Sequence, residues 1–333
     1  MTPTAPPAKG IRTPWEALPV HLHEAVAHML GSPVVHAVTQ PGGFSPGTAA
    51  RVRTADGTRA FVKAVSAEVN PHSPALHRTE ARNAAALPPT VPAPRLLGTH
   101  DDGTWVALVF EEVAGRQPHV PWREAELERV LRAVEQLSRA LTPSPVDAPT
   151  AAESLGGTFA GWQRLLDGDA GYAGDAGDAG DVTGRLDPWT VAHLPELAEL
   201  AAPWPEFVTG DTLAHADLRA DNMLLTEDGG VVFVDWPHAV RAAPWFDLLV
   251  MLPCVRAQGG PDPEELFTRH PLAEDADPSG VTATLAALTG FFLAHSLRPS
   301  PPGLPTLRAF QRAQGDAALG WLRKRLGQWE TAP

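Results

Sequence analysis

"HADLRADN", residues 215–222, decides how this chain is read. A histidine, an aspartate two residues later and an asparagine five beyond that precede the apolar run "MLLT" (223–226). A turn at "EDGG" and a second run, "VVFVDW" (231–236), follow. Asp235, read as the end of the strand "VVFVD", comes 13 residues after Asn222. A loop followed by a hairpin can bring Asp217, Asn222 and Asp235 to one edge of a lobe. Phosphoryl transfer asks for that combination: one carboxylate at an acceptor hydroxyl, and an asparagine and a second carboxylate to hold the magnesium that neutralises phosphates. The spacing H-x-D-x-x-x-x-N with a following strand aspartate is specific, and the plain alternative is a polar turn before a hairpin.

Upstream, "TPWEALPVHLHEAVAHMLG" reads as a helix capped by Thr13, restarted at Pro19 and stopped by Gly31. "PVVHAVTQ", the glycine-rich "PGGFSPG", "TAARVRT", an Asp56–Gly57 turn and "TRAFVKAVS" give three strands with a hairpin. Residues 74–87 form a helix with Ser73 as cap, and "RLLGTH", "DDG" and "TWVALVFEEV" make a second hairpin. Leu76, Glu80, Ala84 and Leu87 fall on one helical stripe, so Glu80 is an inward acid that needs a cation. Lys63, in the apolar strand "AFVKAV", is the nearest candidate in sequence; a lysine snorkelling from a half-exposed strand is the alternative. A strand lysine held by a helix glutamate is how kinase-type sites position a phosphate-binding lysine. Gly43, in the glycine-rich loop one hairpin earlier, could arch backbone N–H groups over phosphates, although Pro46 removes one donor.

Beyond "AGRQPHVP" the character turns helical: Leu127, Val130, Leu131, Val134 and Leu141 share a face within residues 122–141, and helices resume from Ala243. Between them lies a degenerate Gly-Asp-Ala tract, 168–182, read as a flexible insertion. The chain thus divides into a disordered leader (1–13), a β-rich lobe (14–113) and a larger, mostly helical lobe (114–333). This is an α+β arrangement with a cleft between lobes.

Several functions are excluded or disfavoured. A net charge of −13 argues against nucleic acid, which wants a basic face. The single cysteine, Cys254, lies among apolar neighbours and reads as a buried, inert thiol. The stretch 281–297 is short and holds Thr282, Thr284, Thr289 and His295, which fits a buried helix better than a membrane span; a cytoplasmic protein is expected. "GFSPG" (43–47) matches a nucleophile elbow, but Pro46 lacks the N–H that the oxyanion hole needs. "HEAVAH" (23–28) is one residue too long for a zincin pair. Only three lysines stand against 23 arginines, which draws attention to Lys63.

"HADLRADN" with "VDWPHA" and "APWFDL" resembles the aminoglycoside phosphotransferase family, small-molecule kinases of the two-lobed protein-kinase-like fold. The resemblance spans roughly residues 33–330, and tryptophan after the metal aspartate is typical of that family. It implies Asp217 as base or orienter for the acceptor hydroxyl, with His215 bracing the loop. Asn222 and Asp235 would ligate Mg2+, and Lys63, partnered by Glu80, would contact the α- and β-phosphates. Phe110, Glu111 and Val113, in "FEEV", would join the lobes and offer backbone groups to the nucleotide base, and Asp247 would be a buried acid bonded to the catalytic loop. Ala216 stands where the family often has glycine. The implied donor is ATP, with GTP as the alternative. The implied acceptor is a small-molecule hydroxyl, by default an aminoglycoside, whose cationic character would suit the acidic balance. Macrolides, choline-like alcohols and amino-acid alcohols are the other acceptors of the family, and a nucleotide-binding module without transfer is the competing class. The acidic tracts 167–181 and 262–278 are solvated loops or, alternatively, the lining of a cationic-substrate face.

Overall fold

The computed structural model describes residues 5–168 and 182–327. The Gly-Asp-Ala tract, apart from its first and last residues, lies outside them.

Five antiparallel strands make the first lobe: β1 (Val34–Thr39), β2 (Thr48–Thr54), β3 (Arg59–Ser66), β4 (Leu96–Asp101) and β5 (Trp105–Glu111), in the order β1-β2-β3-β5-β4. Helix α1 (Val20–Leu30) covers one face and α2 (Ser73–Ala86), between β3 and β4, the other. Period-two alternation along β3 explains where Lys63 points. Ala60, Val62 and Ala64 join Leu22 and Val26 under α1. Phe61 packs instead with Val106, Leu108, Phe110 and the α2 residues Ala81 and Ala84. Lys63 shares the Phe61 face and so meets α2. Gly31, at φ 73°, ends α1 in the left-handed conformation that glycine adopts without penalty.

The inward stripe of α2 differs from the expected one. Ser73, Pro74, His77, Glu80 and Asn83 are buried, whereas Leu76 is 39 % exposed. Glu80 is inward as read, but its neighbour one turn earlier is His77. Ser73 is the first helical residue rather than a cap, and Thr13 caps nothing, because Trp15–Ala17 form a separate short turn.

The second lobe begins with β6 (Gly115–Arg116) and α3 (Glu124–Ala140), followed by α4 (Ala151–Phe159), α5 (Gly161–Leu166), α6 (Pro188–Ala192), α7 (Leu194–Ala201) and α8 (Trp204–Phe207). Two small antiparallel sheets follow: β7 (Thr212–Ala214) pairs with β10 (Val240–Ala242), and β8 (Met223–Thr226) lies between β6 and β9 (Val231–Phe233). Helices α9 (Phe246–Ala257), α10 (Pro263–Thr268), α11 (Pro278–Ser296) and α12 (Leu307–Arg325) complete the lobe. The apolar stretch near 281–297 is α11, buried along most of its length against α4, α5, α7, α8 and α12. No described helix is long and apolar enough to cross a membrane. α11 starts at Asp277, whose carboxylate accepts from the N–H groups of Ser279 (2.7 Å) and Gly280 (3.0 Å), with Pro278 in the first turn. Gly161 of α5 lies so close to Gly290 of α11 that a Cβ on it would overlap the Gly290 carbonyl.

The expectation of a disordered leader fails for residues 5–13. Ala5 is buried and its N–H donates to the Ala257 carbonyl, and the Ile11 N–H donates to Gly303. Lys9 and Arg12 make parallel bridges to Gly43 and Gly47 of the glycine-rich loop. The prolines and small residues that suggested disorder suit an extended strap, whose backbone groups are satisfied by both lobes. Within 262–278, Asp262, Glu264 and Asp277 have structural roles, while Glu265, Glu274 and Asp275 are exposed, as a solvated loop would have them. Asp262 caps α10 and pairs with Lys324, while Glu264 pairs with Arg325 and accepts from the Trp321 indole of α12.

Candidate active site

Residues 215–222 connect β7 to β8, and the β9–β10 connection carries Asp235, so pairing in the two small sheets holds the loops side by side. Strand β9 ends at Phe233, two residues short of the expected end. Asp235 instead sits in the connection at φ 72°, and Ala216 has φ 61°. These are the two non-glycine residues of positive φ among the described residues. Such conformations cost about 1–3 kcal/mol each and persist where the surroundings over-determine them. For Ala216 those surroundings are visible. The buried Asp247 carboxylate accepts from the His215 N–H (2.7 Å) and the Ala216 N–H (2.8 Å), as the sequence suggested. Burial raises the Asp247 pKa.

His215 is fully buried, and burial lowers its pKa, so the imidazole is neutral. Its Nε2 lies 3.0 Å from the Val234 carbonyl and its Nδ1 accepts from the Asp217 N–H (3.3 Å), which fixes the tautomer with the proton on Nε2. The histidine thus ties the Asp217 loop to the strand leading to Asp235. The Asn222 amide donates to the Asp217 carbonyl (2.8 Å) and carboxylate (3.1 Å), leaving its own Oδ1 for another partner.

Lys63 reaches across the cleft. Its ammonium donates to Glu80 (2.6 Å) and to Oδ1 of Asp235 (2.7 Å), joining β3, α2 and the second lobe at one atom. Burial works against the Lys63 charge, but Asp235 and Glu80 together outweigh it and push the pKa up. Burial raises Glu80 to about 7, while Lys63 overcomes the same effect at Asp235 and pulls it down. His77 is pushed down to about 4 by burial and by Lys63.

Two cavities adjoin here. One, of about 500 Å³, is lined by Gly43, Lys63, Phe110, Glu111, Val113, Asn222 and Asp235. The other, of about 390 Å³, contains Asp217. Glu80, Asp235, His77, Phe44 and Ser45 line both, so the cavities meet beside the Lys63 cluster. Val113 lies beyond the last ladder pair, Ala60 with Glu111, so its backbone groups are not used by the sheet. The Glu111 and Glu112 carboxylates turn to Arg95 and Arg59. The N–H of Gly43 is committed to the Ala8 carbonyl (3.2 Å) and is not offered to the cavity.

Two arginines were missed in the sequence. Arg219, half-buried in the 215–222 loop, contacts Asp217 and forks onto Asp221 (3.0 and 2.9 Å). Burial opposes its charge, and those two acids outweigh it and raise its pKa. Arg12, on the strap, donates to the Gly42 and Ser45 carbonyls, and its Nε is buried without a partner. Burial lowers its pKa while Asp235 and Asp221 counter that. Within "HADLRADN", a cation two residues from each of two acids was a readable signal for Arg219; nothing in the leader marked Arg12.

Other expectations resolve simply. Cys254 is buried and burial raises its thiol pKa. His23 Nε2 donates to the Trp15 carbonyl (2.9 Å), and His28 is exposed.

A lysine held by a helix glutamate on a five-stranded lobe, facing an Asp–Asn loop on a helical lobe, defines a kinase-like phosphotransferase. The family model described as "Phosphotransferase enzyme family" (APH) matches residues 40–280, and the chain belongs to that family. Among solved structures, it is similar to a thermostable mutant of aminoglycoside phosphotransferase APH(4)-Ia in complex with ADP and hygromycin B. The identity is 14 %, the TM-score 0.58, and the match covers 94 % of this chain and 100 % of the other. Spectinomycin phosphotransferase APH(9)-Ia, with ADP and spectinomycin, matches at 12 % identity and TM-score 0.59, covering 90 % and 97 %. Plasmodium vivax ethanolamine kinase matches at 11 % and 0.52, covering 84 % and 80 %. These likenesses describe the fold. A search of curated proteins gives no match. The chain is an alcohol phosphotransferase of that family.

Proposed function

We propose that this protein transfers the γ-phosphoryl group of Mg·ATP to a hydroxyl of a small molecule, with the nucleotide in the larger cavity and the acceptor in the Asp217 cavity. The observation that carries this is the meeting of the two cavities at Lys63, Glu80 and Asp235, with Asp217 on the acceptor side and Asn222 on the nucleotide side. In the transfer, the acceptor oxygen forms its bond to the γ-phosphorus as the bond to the β,γ-bridging oxygen breaks, releasing ADP. The hydroxyl proton passes to Asp217. Lys63 is the cation for the α- and β-phosphates, and Glu80 fixes its position. The Glu111 carbonyl and the backbone groups of Val113, with the Phe110 ring, receive the nucleotide base; the Glu111 N–H is held by the Arg95 carbonyl (3.0 Å).

The donor set suits Mg2+, which takes hard oxygen ligands. Asp235 uses one carboxylate oxygen on Lys63 and has a second, and Asn222 keeps its Oδ1. Bound there, the ion supplies charge neutralisation at the phosphates. Catalysis then rests on positioning and on charge held in advance, which is what phosphoryl transfer asks of a protein. The test is ADP formation with Mg·ATP across aminoglycosides, macrolides and simple amino alcohols, wild type beside Asp217→Asn. An acceptor-dependent rate that the substitution lowers about 10²–10⁴-fold supports the assignment. Equal rates in the two proteins remove Asp217 from its role.

A further inference from the structure

The acceptor cavity has the wrong walls for a polycation. Among the described residues, its acids are Glu80, Asp217 and Asp235, and each already faces a cation: Glu80 and Asp235 share Lys63, and Asp217 contacts Arg219. The one arginine of the wall, Arg219, is engaged by Asp217 and Asp221. The His77 imidazole is neutral for the reason given above. Among the described residues of this wall no carboxylate is left over for an ammonium group, although the whole chain is acidic. Of the six acids at 262–278, Asp262 and Asp277 cap α10 and α11 and Glu264 is held by α12, and none of the six lines this wall.

What the wall offers instead is apolar. Phe159, Phe291 and Leu288 line it together with Leu155, Val250 and Leu307. Phe291, Leu155, Val250 and Leu307 are only partly buried, so they leave apolar surface open to the space beside Asp217. Leu76 also lines the cavity, which accounts for an exposed leucine on α2 that sequence periodicity had turned inward. Phe44, from the glycine-rich loop, meets Phe310 edge-on at 5.0 Å and closes the side nearest the nucleotide cavity. One polar group stands apart. Gln314 of α12 is 5 % exposed, makes no hydrogen bond with any described residue, and borders the cavity. Its amide therefore keeps its hydrogen-bonding capacity free for a group held in the cavity.

We infer that the acceptor is an uncharged, ring-containing alcohol, which presents its reacting hydroxyl to Asp217, its apolar body to the Phe159–Leu288–Phe291 wall and a second oxygen to Gln314. The inference rests on the phosphotransfer reading of the same site. A polycation in this space would bury ammonium groups against phenylalanine and leucine without a counter-charge, which costs more than the contacts return. An uncharged ring gains by the same burial.

Calorimetry on the full chain preloaded with Mg·ADP tests it. The probes are menthol and 4-phenylcyclohexanol on one side, kanamycin A and hygromycin B on the other. The uncharged alcohols are expected to bind saturably and at least tenfold more tightly than either polycation. Leu155→Asp should weaken them at least fivefold, with Mg·ADP binding as the measure that the variant is folded. Tighter binding of a polycation overturns the inference and leaves phosphotransfer standing if Asp217-dependent turnover persists. Saturable binding by neither set at millimolar concentration overturns it as well. Failure of the wild type to bind Mg·ADP instead sinks the phosphotransfer reading itself.

Discussion

Glu80→Gln isolates one buried charge while keeping the side chain's shape. Glu80 is 3 % exposed, and burial raises its carboxyl to about 7 from the ordinary 4.5. An acid raised in this way holds its proton more tightly in the folded chain than in the unfolded one. Its contribution to stability is therefore complete below the unfolded value and is lost as pH rises through the folded value. Between about pH 5 and about pH 8 the loss comes to about 2–3 kcal/mol, at about 1.4 kcal/mol per unit. Glutamine does not titrate there. The unfolding free energy of the wild type minus that of Glu80→Gln should fall by this amount across the range, because the other titrating groups are common to both proteins. Urea unfolding followed by tryptophan fluorescence at several pH values measures it. Parallel curves for the two proteins would refute the reasoning, since they would mean that Lys63 fully offsets the burial cost. The same variant leaves Lys63 to Asp235 alone, and KM for ATP should rise about tenfold, the scale of one charge-assisted hydrogen bond.

Arg12→Met removes the guanidinium that holds the Gly42 and Ser45 carbonyls and faces Asp235; KM for ATP should rise several-fold while kcat changes less, and an unchanged KM would take the strap out of the site. Ala216→Gly relieves a left-handed alanine at about 1–2 kcal/mol and gives back about 0.5–1 kcal/mol in unfolded-chain entropy. A small rise in melting temperature is expected, and a fall would show that the alanine methyl contributes more than its strain costs. Gly161→Ala should destabilise by more than about 2 kcal/mol, read as a lower urea midpoint, because the methyl meets the Gly290 backbone rather than a side chain that can turn away. Chelating divalent metal should abolish ADP formation and restoring Mg2+ should recover it; turnover that survives chelation would remove Asn222 and Asp235 as metal ligands.

The polar skeleton of the candidate site was legible because its residues lie on short, strongly patterned segments. A lysine in an otherwise apolar strand singled out Lys63 as the partner of Glu80, and the H-x-D-x-x-x-x-N spacing put Asp217 and Asn222 within reach of each other. Helix periodicity found Glu80, Ala84 and Leu87 but misplaced Leu76. On α2 the cleft itself takes up the Leu76 surface, so hydrophobicity alone misjudges which side is inward. Asp235 was placed at a strand end because an extended run gives no sign of the left-handed turn at its tip. The strap was misread for a further reason. Segments rich in proline and alanine carry no periodicity, and residues 5–13 are ordered by partners some 250 to 300 positions away, such as Ala257, Gly303 and Thr306. The acceptor walls were hidden likewise, since they collect side chains from α2, α4, α9, α11 and α12.

The strap has a consequence for motion. A rigid body joined to another at a single point keeps three rotations; joined at two separated points, it keeps only the turn about the line between them. The sheet lobe is attached covalently after Val113. It is attached a second time through Lys9, Arg12 and the glycine-rich loop to Ala257, Gly303 and Thr306. The strap thus removes freedom that the covalent joint alone would leave, and the Asn83–Trp236, Phe233–Pro92 and Lys63–Asp235 bonds between the lobes remove more. Peeling away of its nine residues would return part of that freedom to the sheet lobe.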